Sequence, residues 1–213
     1  MAELYHLARL NDRWFRLDEP LVSAFVERWH PETHTFYMSF GECTITMQDV
    51  SYQLGLPVDG RYVSGCLTDF QTYIQGDRPA CVWFQEFLGV LPPANQIQKF
   101  AVNCNWFQET FGGCPEGADE ETVRRYIMML LGTQLFADKS GNRIHIRWLP
   151  YVARLEDMGG YSWGSAALAW LYRCMCRVAN IHVVKLAGSL QLLQSWILWR
   201  FPGFRPAGYD TFS

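Results

Sequence analysis

The last third of the chain contains two long apolar segments, and they constrain the fold more than any other feature of the sequence. The first, residues 163–179, reads WGSAALAWLYRCMCRVA, and the second, residues 183–201, reads VVKLAGSLQLLQSWILWRF. Apolar residues recur at helical intervals in both, and in the second they occupy nearly every side. A helix of that kind needs cover from several neighbours. We therefore predict two helices, the second buried against more than one other element.

The composition supplies enough apolar material for a sizeable core. Of the 213 residues, 49% are hydrophobic and 15% are aromatic, and nine are tryptophans. A chain of this length is typical of one domain, and this hydrophobic content argues against disorder. We predict a single domain over residues 1–213.

Local signals predict further helices in the first two thirds of the chain. Asp18 and Pro20 are typical of a helix start, and Thr46 with Asp49 has the spacing of a capping box. Gly55 is placed to end the second helix in a left-handed conformation. Three more helices are predicted over residues 80–88, 94–111 and 122–136.

Short β-prone runs lie between these helices. A hairpin is predicted around Gly41, with Glu42 in its turn, and the Asp59-Gly60 pair predicts a second small hairpin. Residues 143–148 alternate between apolar and polar side chains, as strands do. The apolar set is Ile144, Ile146 and Trp148, and the polar set is Arg143, His145 and Arg147. The expected fold is mainly α (α+β): a compact multi-helix domain with two or three short β-hairpins or strands at its periphery.

The charge distribution limits the classes of partner. The net charge of −3 and a pI near 5.9 argue against a dedicated nucleic-acid binder. Up to Ser162 there are 13 basic residues against 20 acidic ones, whereas the remainder has five basic residues and one acidic residue. These are Arg173, Arg177, Lys185, Arg200 and Arg205, with Asp210. The basic end could attract an acidic partner, but we expect the two parts to pair internally.

Cysteine usage and hydropathy indicate the compartment. The seven cysteines form no Cys-x-x-Cys pair, and the first residues, MAELYHLARLNDRW, lack the apolar run of a signal peptide. The longest uncharged apolar stretch, LAGSLQLLQSWILW, is too short to cross a bilayer. We expect a soluble protein, without a membrane partner, in the cytosol or the nucleus.

Residues 160–164 read GYSWG, the Gly-x-Ser-x-Gly pattern of many serine hydrolases. A nucleophile elbow requires a buried strand before the serine, and an acid and then a histidine after it. The preceding segment is polar, and the order after Ser162 is His182 and then Asp210. We therefore interpret Ser162 as the N-cap of the following helix, its hydroxyl accepting a backbone N–H.

No catalytic, cofactor-binding or metal-binding residue is predicted. A pyridoxal phosphate enzyme needs a Schiff-base lysine, and Lys99, Lys139 and Lys185 do not follow strands or precede a phosphate cradle. Cys174 and Cys176 are two residues apart on a helix, so they point about 200° apart and cannot share a zinc ion. We expect no enzymatic activity.

Two groups of arginines are candidate partner-docking residues. Arg143 and Arg147 share the polar face of the predicted strand, and Arg173 and Arg177 lie one helical turn apart. Either group could bind phosphate, although solvated faces and internal ion pairs are the simpler interpretation.

The tryptophans at helical spacing are interpreted first as core residues. They form the pairs Trp163 with Trp170, and Trp196 with Trp199. Tryptophan is also enriched at protein interfaces, so a solvent-facing member of either pair would be a docking hot spot.

Three sequence blocks, residues 21–65, 161–173 and 188–202, together resemble the aminotransferase-like plant mobile domain in order along the chain. The positions that carry the resemblance are Trp29, Gly41, Glu42, Thr46, Asp49, Gly55, Gly60, Trp163, Gly164, Ser165, Ala166, Leu171, Tyr172, Arg173, Trp196, Arg200 and Phe201. Two features depart from that family. Trp199 stands where the family usually has an acidic residue, and the family's domain usually continues beyond Ser213. We expect a C-terminally shortened copy that exposes an apolar patch and self-associates.

The resemblance implies a non-catalytic nuclear protein-interaction module. Its implied role is in transposon silencing, genome stability and meristem maintenance, with a protein phosphatase 7-like partner or another plant mobile domain protein. The GYSWG pattern lies in a family block, and no hydrolase activity comes with it. One alternative is a transposon-derived accessory protein that associates with nucleic acid. The other is a cryptic serine hydrolase or pyridoxal phosphate enzyme.

Overall fold

The computed structural model describes residues 17–64, 80–98, 100–111, 119–137, 143–181 and 187–206. Most of these residues are helical, and the fold is mainly α, as predicted. The α-helices are α1 (Glu19–Val26), α2 (Met47–Leu54), α3 (Ala80–Leu88), α4 (Cys104–Phe111), α5 (Glu120–Leu130), α6 (Leu149–Val152), α7 (Trp163–Ile181) and α8 (Leu190–Arg200). Within these ranges, no helix has the length and apolar character needed to span a bilayer.

Two small antiparallel sheets accompany the helices. The first has the order β1 (Trp29–His30), β2 (Thr35–Met38) and β3 (Gly41–Cys43). The second has the order β4 (Ile97–Gln98), β5 (Ala101–Asn103) and β6 (Arg143–His145). In the second sheet β6 arrives from far along the chain to pair with β5, Ile144 opposite Val102.

The predicted helix caps are confirmed. Asp18 accepts the backbone N–H of Leu21 at 3.0 Å at the start of α1. Thr46 and Asp49 form the reciprocal capping box at the start of α2, and Gly55 ends that helix with a φ of +62°. Each cap satisfies backbone groups that would otherwise have no partner inside the helix.

Helix α7 lies between two hydrophobic cores. Trp163 and Ala167 belong to the first core, with α3, α4, α5, α6 and the second sheet. Leu168, Leu171 and Met175 belong to the second core, with α1, α2, α8 and the first sheet. One helix can serve both cores because its apolar residues fall on two different sides.

The loop after α2 is hydrogen-bonded to the residues around the start of α7. We call residues 57–61 and 160–165 the clasp. The amide of Gly164 donates to the Pro57 carbonyl at 2.9 Å, and the Arg61 amide donates to the Gly160 carbonyl at 2.8 Å. Arg61 and Tyr161 thereby form an isolated parallel bridge. The clasp joins two distant parts of the sequence through backbone atoms.

The clasp corrects two predictions. The Asp59-Gly60 pair does not turn a hairpin, because Arg61 pairs with Tyr161 rather than with a neighbouring strand. Ser162 occupies the backbone position before α7, but its hydroxyl donates to the Arg61 carbonyl at 3.1 Å. Its side chain therefore stabilises the clasp, and its own carbonyl accepts the Ala166 amide at 3.0 Å in the first turn of α7.

Three predicted element boundaries are wrong. Residues 94–111 form a 3₁₀ turn, β4, β5 and α4 instead of one helix, and Asn103 accepts the amides of Asn105 and Trp106 where α4 begins. The strand at 143–148 ends at His145 and continues as a 3₁₀ turn. The last helix begins at Leu190, because Gly188 with its φ of +107° does not fit a right-handed helix.

Gly60 provides a test of the clasp. Its φ is +127°, and a Cβ there would lie 2.7 Å from the carbonyl oxygen of Gly160. We expect Gly60→Ala to lower the free energy of unfolding by about 2–3 kcal/mol, from backbone strain and the forced separation of the clasp. Gly159→Ala is the matched control, since a Cβ there meets nothing within 4 Å. Urea unfolding of both variants measures the difference, and equal midpoints would show that the clasp contributes no stability.

Candidate functional site

A cavity of about 260 Å³ lies between the second sheet, the segment after α5 and one side of α7. We call it the arginine pocket. Three arginines, one histidine and four aromatic residues line it together with small residues. The lining residues are Tyr62, Val63, Ser64, Ala101, Gly132, Phe136, Arg143, His145, Arg147, Trp148, Ala166, Ala169, Trp170 and Arg173.

The second sheet supplies one wall of the arginine pocket. Arg143 and His145 are two residues apart on β6, so they lie on the same face, and Ala101 on β5 is the register partner of His145. Ile144 points the other way and is fully buried in the first core. The alternation read from the sequence therefore separates a core face from a pocket face, and Arg147 reaches the same pocket from the 3₁₀ turn.

A stripe of α7 supplies the opposite wall. Ala166, Ala169, Trp170 and Arg173 follow the spacing that places residues on one side of a helix. The two alanines leave space, and the Trp170 indole donates to the Ala137 carbonyl at 3.2 Å. This stripe is a third side of α7, distinct from the two that enter the cores.

A π-helical turn, Leu131–Leu135, lies beside the pocket. Such turns insert one extra residue into a helix and are frequent at functional sites. Gly132 in this turn lines the pocket, and a Cβ there would lie 3.1 Å from the Ile144 side chain. Phe136 follows the turn and stacks on Trp148 with ring centroids 4.4 Å apart. The turn thus places Phe136 against Trp148 at the pocket, and Gly132 leaves the space beside them open.

The lining residues give the pocket a positive charge. Arg143, Arg147 and Arg173 line it, and none of its described lining residues is acidic. Arg173 also lies over the Trp170 ring, 5.9 Å from its centroid. His145 accepts the Arg147 amide through Nδ1 at 3.1 Å, which leaves the hydrogen of the neutral ring on Nε2.

The structure brings together three of the four arginines that the sequence analysis named as docking candidates. The sequence placed them on two unrelated faces, and the fold brings both faces to one cavity. Arg177 lies one turn beyond Arg173 and is not among the lining residues. Their role in docking remains a prediction.

The internal ion pairing that we expected is not formed by the described residues. The ion pairs between arginines and carboxylates lie before residue 163, for example Arg61 with Asp157 and Arg124 with Glu120. Within the described ranges, Arg173, Arg177 and Arg200 lie within 4.0 Å of no carboxylate. These three arginines are exposed.

A second surface is formed by two exposed aromatic residues, Tyr52 on α2 and Trp199 on α8. Their ring centroids are 5.8 Å apart, and their exposed fractions are 75% and 40%. The other tryptophan of that helix, Trp196, is only 1% exposed. One member of the predicted core pair is therefore in the core, and the other lies at the surface.

Several family positions hold the first sheet against α7. Trp29 packs on Tyr172 with ring centroids 4.8 Å apart, and its indole donates to the Cys176 sulfur at 3.4 Å. The Tyr172 hydroxyl donates to the Ile45 carbonyl at 2.6 Å, and burial raises its pKa. These residues fix the position of α7 rather than line the pocket.

Other family positions are structural as well. Gly41 opens β3 with a φ of +127°. Glu42 lies on β3 opposite Tyr37, not in the turn as predicted, and accepts a hydrogen bond from the Thr35 hydroxyl at 2.9 Å. Ser165 donates to the Val58 carbonyl within the clasp. Arg200 is exposed at the end of α8, where its charge opposes the rise that burial causes in the pKa of Cys43.

The residues considered for catalysis are placed as follows. The Ser162 hydroxyl is bonded to a backbone carbonyl, whereas His182, Asp210 and the three lysines lie outside the described residues. Burial raises the pKa of the Cys174 thiol to about 11, so the thiolate needed by a nucleophile or a metal ligand is disfavoured. Among the described residues, no three histidine, cysteine or acidic side chains form a cluster that could hold a metal ion.

The Cys174 thiol can be tested directly. We expect iodoacetamide at pH 8 to leave Cys174 unmodified in the native protein, because the thiol is buried and protonated. Denaturant should expose it to full modification, and peptide mass spectrometry reports both states. Native labelling at the unfolded rate would contradict the buried position.

Comparison with known proteins supports the resemblance. The plant mobile domain model matches residues 3–212. The chain is 36% identical to Protein MAIN-LIKE 2 of Arabidopsis thaliana over 194 residues, 89% of this chain and 28% of that protein. It is 37% identical to a serine/threonine-protein phosphatase 7 long form homolog of Arabidopsis thaliana over 197 residues, 91% of this chain and 14% of that protein.

A third relative is Protein MAINTENANCE OF MERISTEMS of Arabidopsis thaliana, 35% identical over 203 residues, 91% of this chain and 41% of that protein. The chain thus spans less than half the length of each of these three relatives. No solved structure matches it significantly. The family model and the three relatives agree, and the chain belongs to the plant mobile domain family.

Proposed function

We propose that this domain is a non-catalytic protein-interaction module that acts in the nucleus. Its proposed roles are transposon silencing, genome stability and meristem maintenance, in partnership with a phosphatase-like protein or another plant mobile domain protein. The names of two relatives, one a phosphatase 7 long form homolog and one MAINTENANCE OF MERISTEMS, support the partner class and the process.

The exposed Tyr52–Trp199 pair is the observation that carries the proposal. Aromatic side chains with large exposed areas are the residues on which protein interfaces most depend. Trp199 is 40% exposed although its helix is otherwise buried on several sides. Arg205 fixes the end of that helix by donating to the Leu198 carbonyl at 2.8 Å. A rigid helix therefore presents the indole, which lowers the conformational entropy lost on binding.

Most of the positions that carry the family resemblance have structural roles, whereas Ala166 and Arg173 line the arginine pocket. Gly60, Trp163, Gly164 and Ser165 build the clasp or the first core, and Trp29 and Tyr172 join the first sheet to α7. Residues of this kind keep a surface in place. This use of the family motif favours a binding module over an enzyme.

Two alternative functions, nucleic-acid association and enzymatic activity, predict different experimental results. A nucleic-acid-associated accessory protein would bind DNA or RNA with an affinity that falls steeply as salt is raised. A cryptic hydrolase or pyridoxal phosphate enzyme would react with a serine probe or show cofactor absorbance. The acidic overall charge favours the protein-interaction proposal over nucleic-acid binding.

The test is capture of partners from plant nuclei with the tagged protein, followed by binding measurements with the purified partner. We expect recovery of a phosphatase-like or plant mobile domain protein. We expect Trp199→Glu to weaken that binding at least tenfold through loss of an aromatic contact. Circular dichroism should show an unchanged fold, because the side chain lies at the surface.

Leu91→Ser is the matched control, because Leu91 is also an exposed apolar residue but belongs to the loop after α3. We expect it to bind the partner within twofold of the unmodified protein. Recovery of nucleic acid alone, or equal binding by the Trp199→Glu protein, would contradict the proposed module and its surface.

A further inference from the structure

We propose that the arginine pocket binds a phosphate monoester that carries a small apolar or aromatic body. The residues that support this phosphate site differ from Tyr52 and Trp199. The phosphate site and the proposed interaction surface can therefore be tested independently of each other. Three observations support this proposal: the charge of the lining residues, the placement of the arginines on two different elements, and the apolar part of the lining.

The charge of the pocket favours a multiply charged anion. Three arginines, Arg143, Arg147 and Arg173, line the pocket, and the described lining residues include no acid. A guanidinium group carries a positive charge. Like charges in a confined space repel one another. A carboxylate would offset a single positive charge, whereas a phosphate monoester carries a charge of about −1.5 to −2 at neutral pH. The phosphate therefore fits this charge better.

The arginines reach the cavity from two sides. Arg143 and Arg147 come from β6 and the turn after it, and Arg173 comes from a different element, α7. Guanidinium groups form paired hydrogen bonds to phosphate oxygens, which makes arginine well suited to this geometry. Arg143 and Arg147 are half-buried, so their bonds to an anion are less weakened by water than those of fully exposed residues.

Part of the pocket lining is apolar. Val63 and Trp148 are buried there, and Phe136 stacks against Trp148. Gly132, Ala166 and Ala169 add little volume, which keeps the space open. A ligand with a small hydrophobic or flat body beside its phosphate would cover these surfaces. Inorganic phosphate alone would leave them exposed to water.

The volume limits the size of that body. The cavity of about 260 Å³ lies just below the range of about 300–1,000 Å³ that is typical of drug-sized ligands. Two sources of the same chemistry fit this size. One is a phosphorylated side chain on a protein, and the other is a small free phosphate ester such as a nucleoside monophosphate.

Phenyl phosphate is the first probe, with benzoate as the carboxylate counterpart. Trp148 and Trp170 line the pocket, so their fluorescence reports occupancy, and calorimetry gives the dissociation constant. We expect saturable binding of phenyl phosphate that weakens as salt is raised, and at least tenfold weaker binding of benzoate. Absence of saturable phenyl phosphate binding at millimolar concentration, or tighter binding of benzoate, would overturn the proposal.

Three substitutions locate the site. We expect Arg143→Gln and Arg173→Gln each to raise the dissociation constant of phenyl phosphate at least tenfold, because each removes a charge-assisted hydrogen-bond donor. Arg177→Gln removes the same charge from the next turn of α7, outside the pocket, and should stay within twofold. Arg173 is exposed, so its variant tests the site even if Arg143→Gln does not fold. Equal effects at Arg173 and Arg177 would show general charge attraction and overturn the proposal.

A second pair of probes distinguishes the sources. The first is a short peptide that contains phosphotyrosine, and the second is adenosine monophosphate. Each is titrated into the same protein, with its dephosphorylated form as a reference. Stronger binding of the phosphopeptide assigns the pocket to a protein ligand, and stronger binding of the nucleotide assigns it to a metabolite. Binding of both dephosphorylated forms as tightly as the phosphorylated ones would contradict a phosphate site.

Discussion

The burial of α7 between two hydrophobic cores is the interaction on which the rest of the structure depends. Trp163 anchors its beginning in one core, and Leu171 and Met175 pack into the other. Its remaining side carries Ala166, Ala169, Trp170 and Arg173 to the arginine pocket. The same helix contributes to both cores and to the lining of the pocket. A substitution that disturbs its packing should therefore alter the packing of both cores and of the pocket.

The sequence predicted local features well and long-range ones poorly. The Thr46–Asp49 capping box depends on residues three apart, and its signal is complete within the sequence. The clasp depends on Gly60 meeting Gly160, and nothing near either glycine specifies the other. Ser162 shows the same limit, since its hydroxyl bonds to Arg61, far away in the chain. Tertiary contacts also override the helix predicted over residues 94–111, where β5 pairs with β6.

In the candidate site, too, the sequence predicted local features but not long-range contacts. Alternation along residues 143–145 correctly placed Arg143 and His145 on one side, because side-chain direction in a strand is a local property. Arg147 reaches the same pocket from the 3₁₀ turn that follows the strand. Their position beside Arg173 at one cavity depends on tertiary packing, which no spacing in the sequence encodes. The π turn at Gly132 gave no signal that sequence reasoning could use. The spacing of Trp196 and Trp199 predicted a docking role for whichever of them faces solvent. Trp199 is the one that is exposed on α8, and its role in docking stays a prediction.

Hydrogen exchange of the protein and its Leu171→Ala variant tests most directly whether α7 couples the two cores. Leu171 is fully buried in the second core, and its truncation removes contacts worth about 2–5 kcal/mol. If α7 is the shared support, protection should fall by similar amounts for amides of α8 in the second core and α5 in the first. Loss of protection confined to the second core, with α5 unchanged, would show that the cores are stabilised independently and would contradict this account.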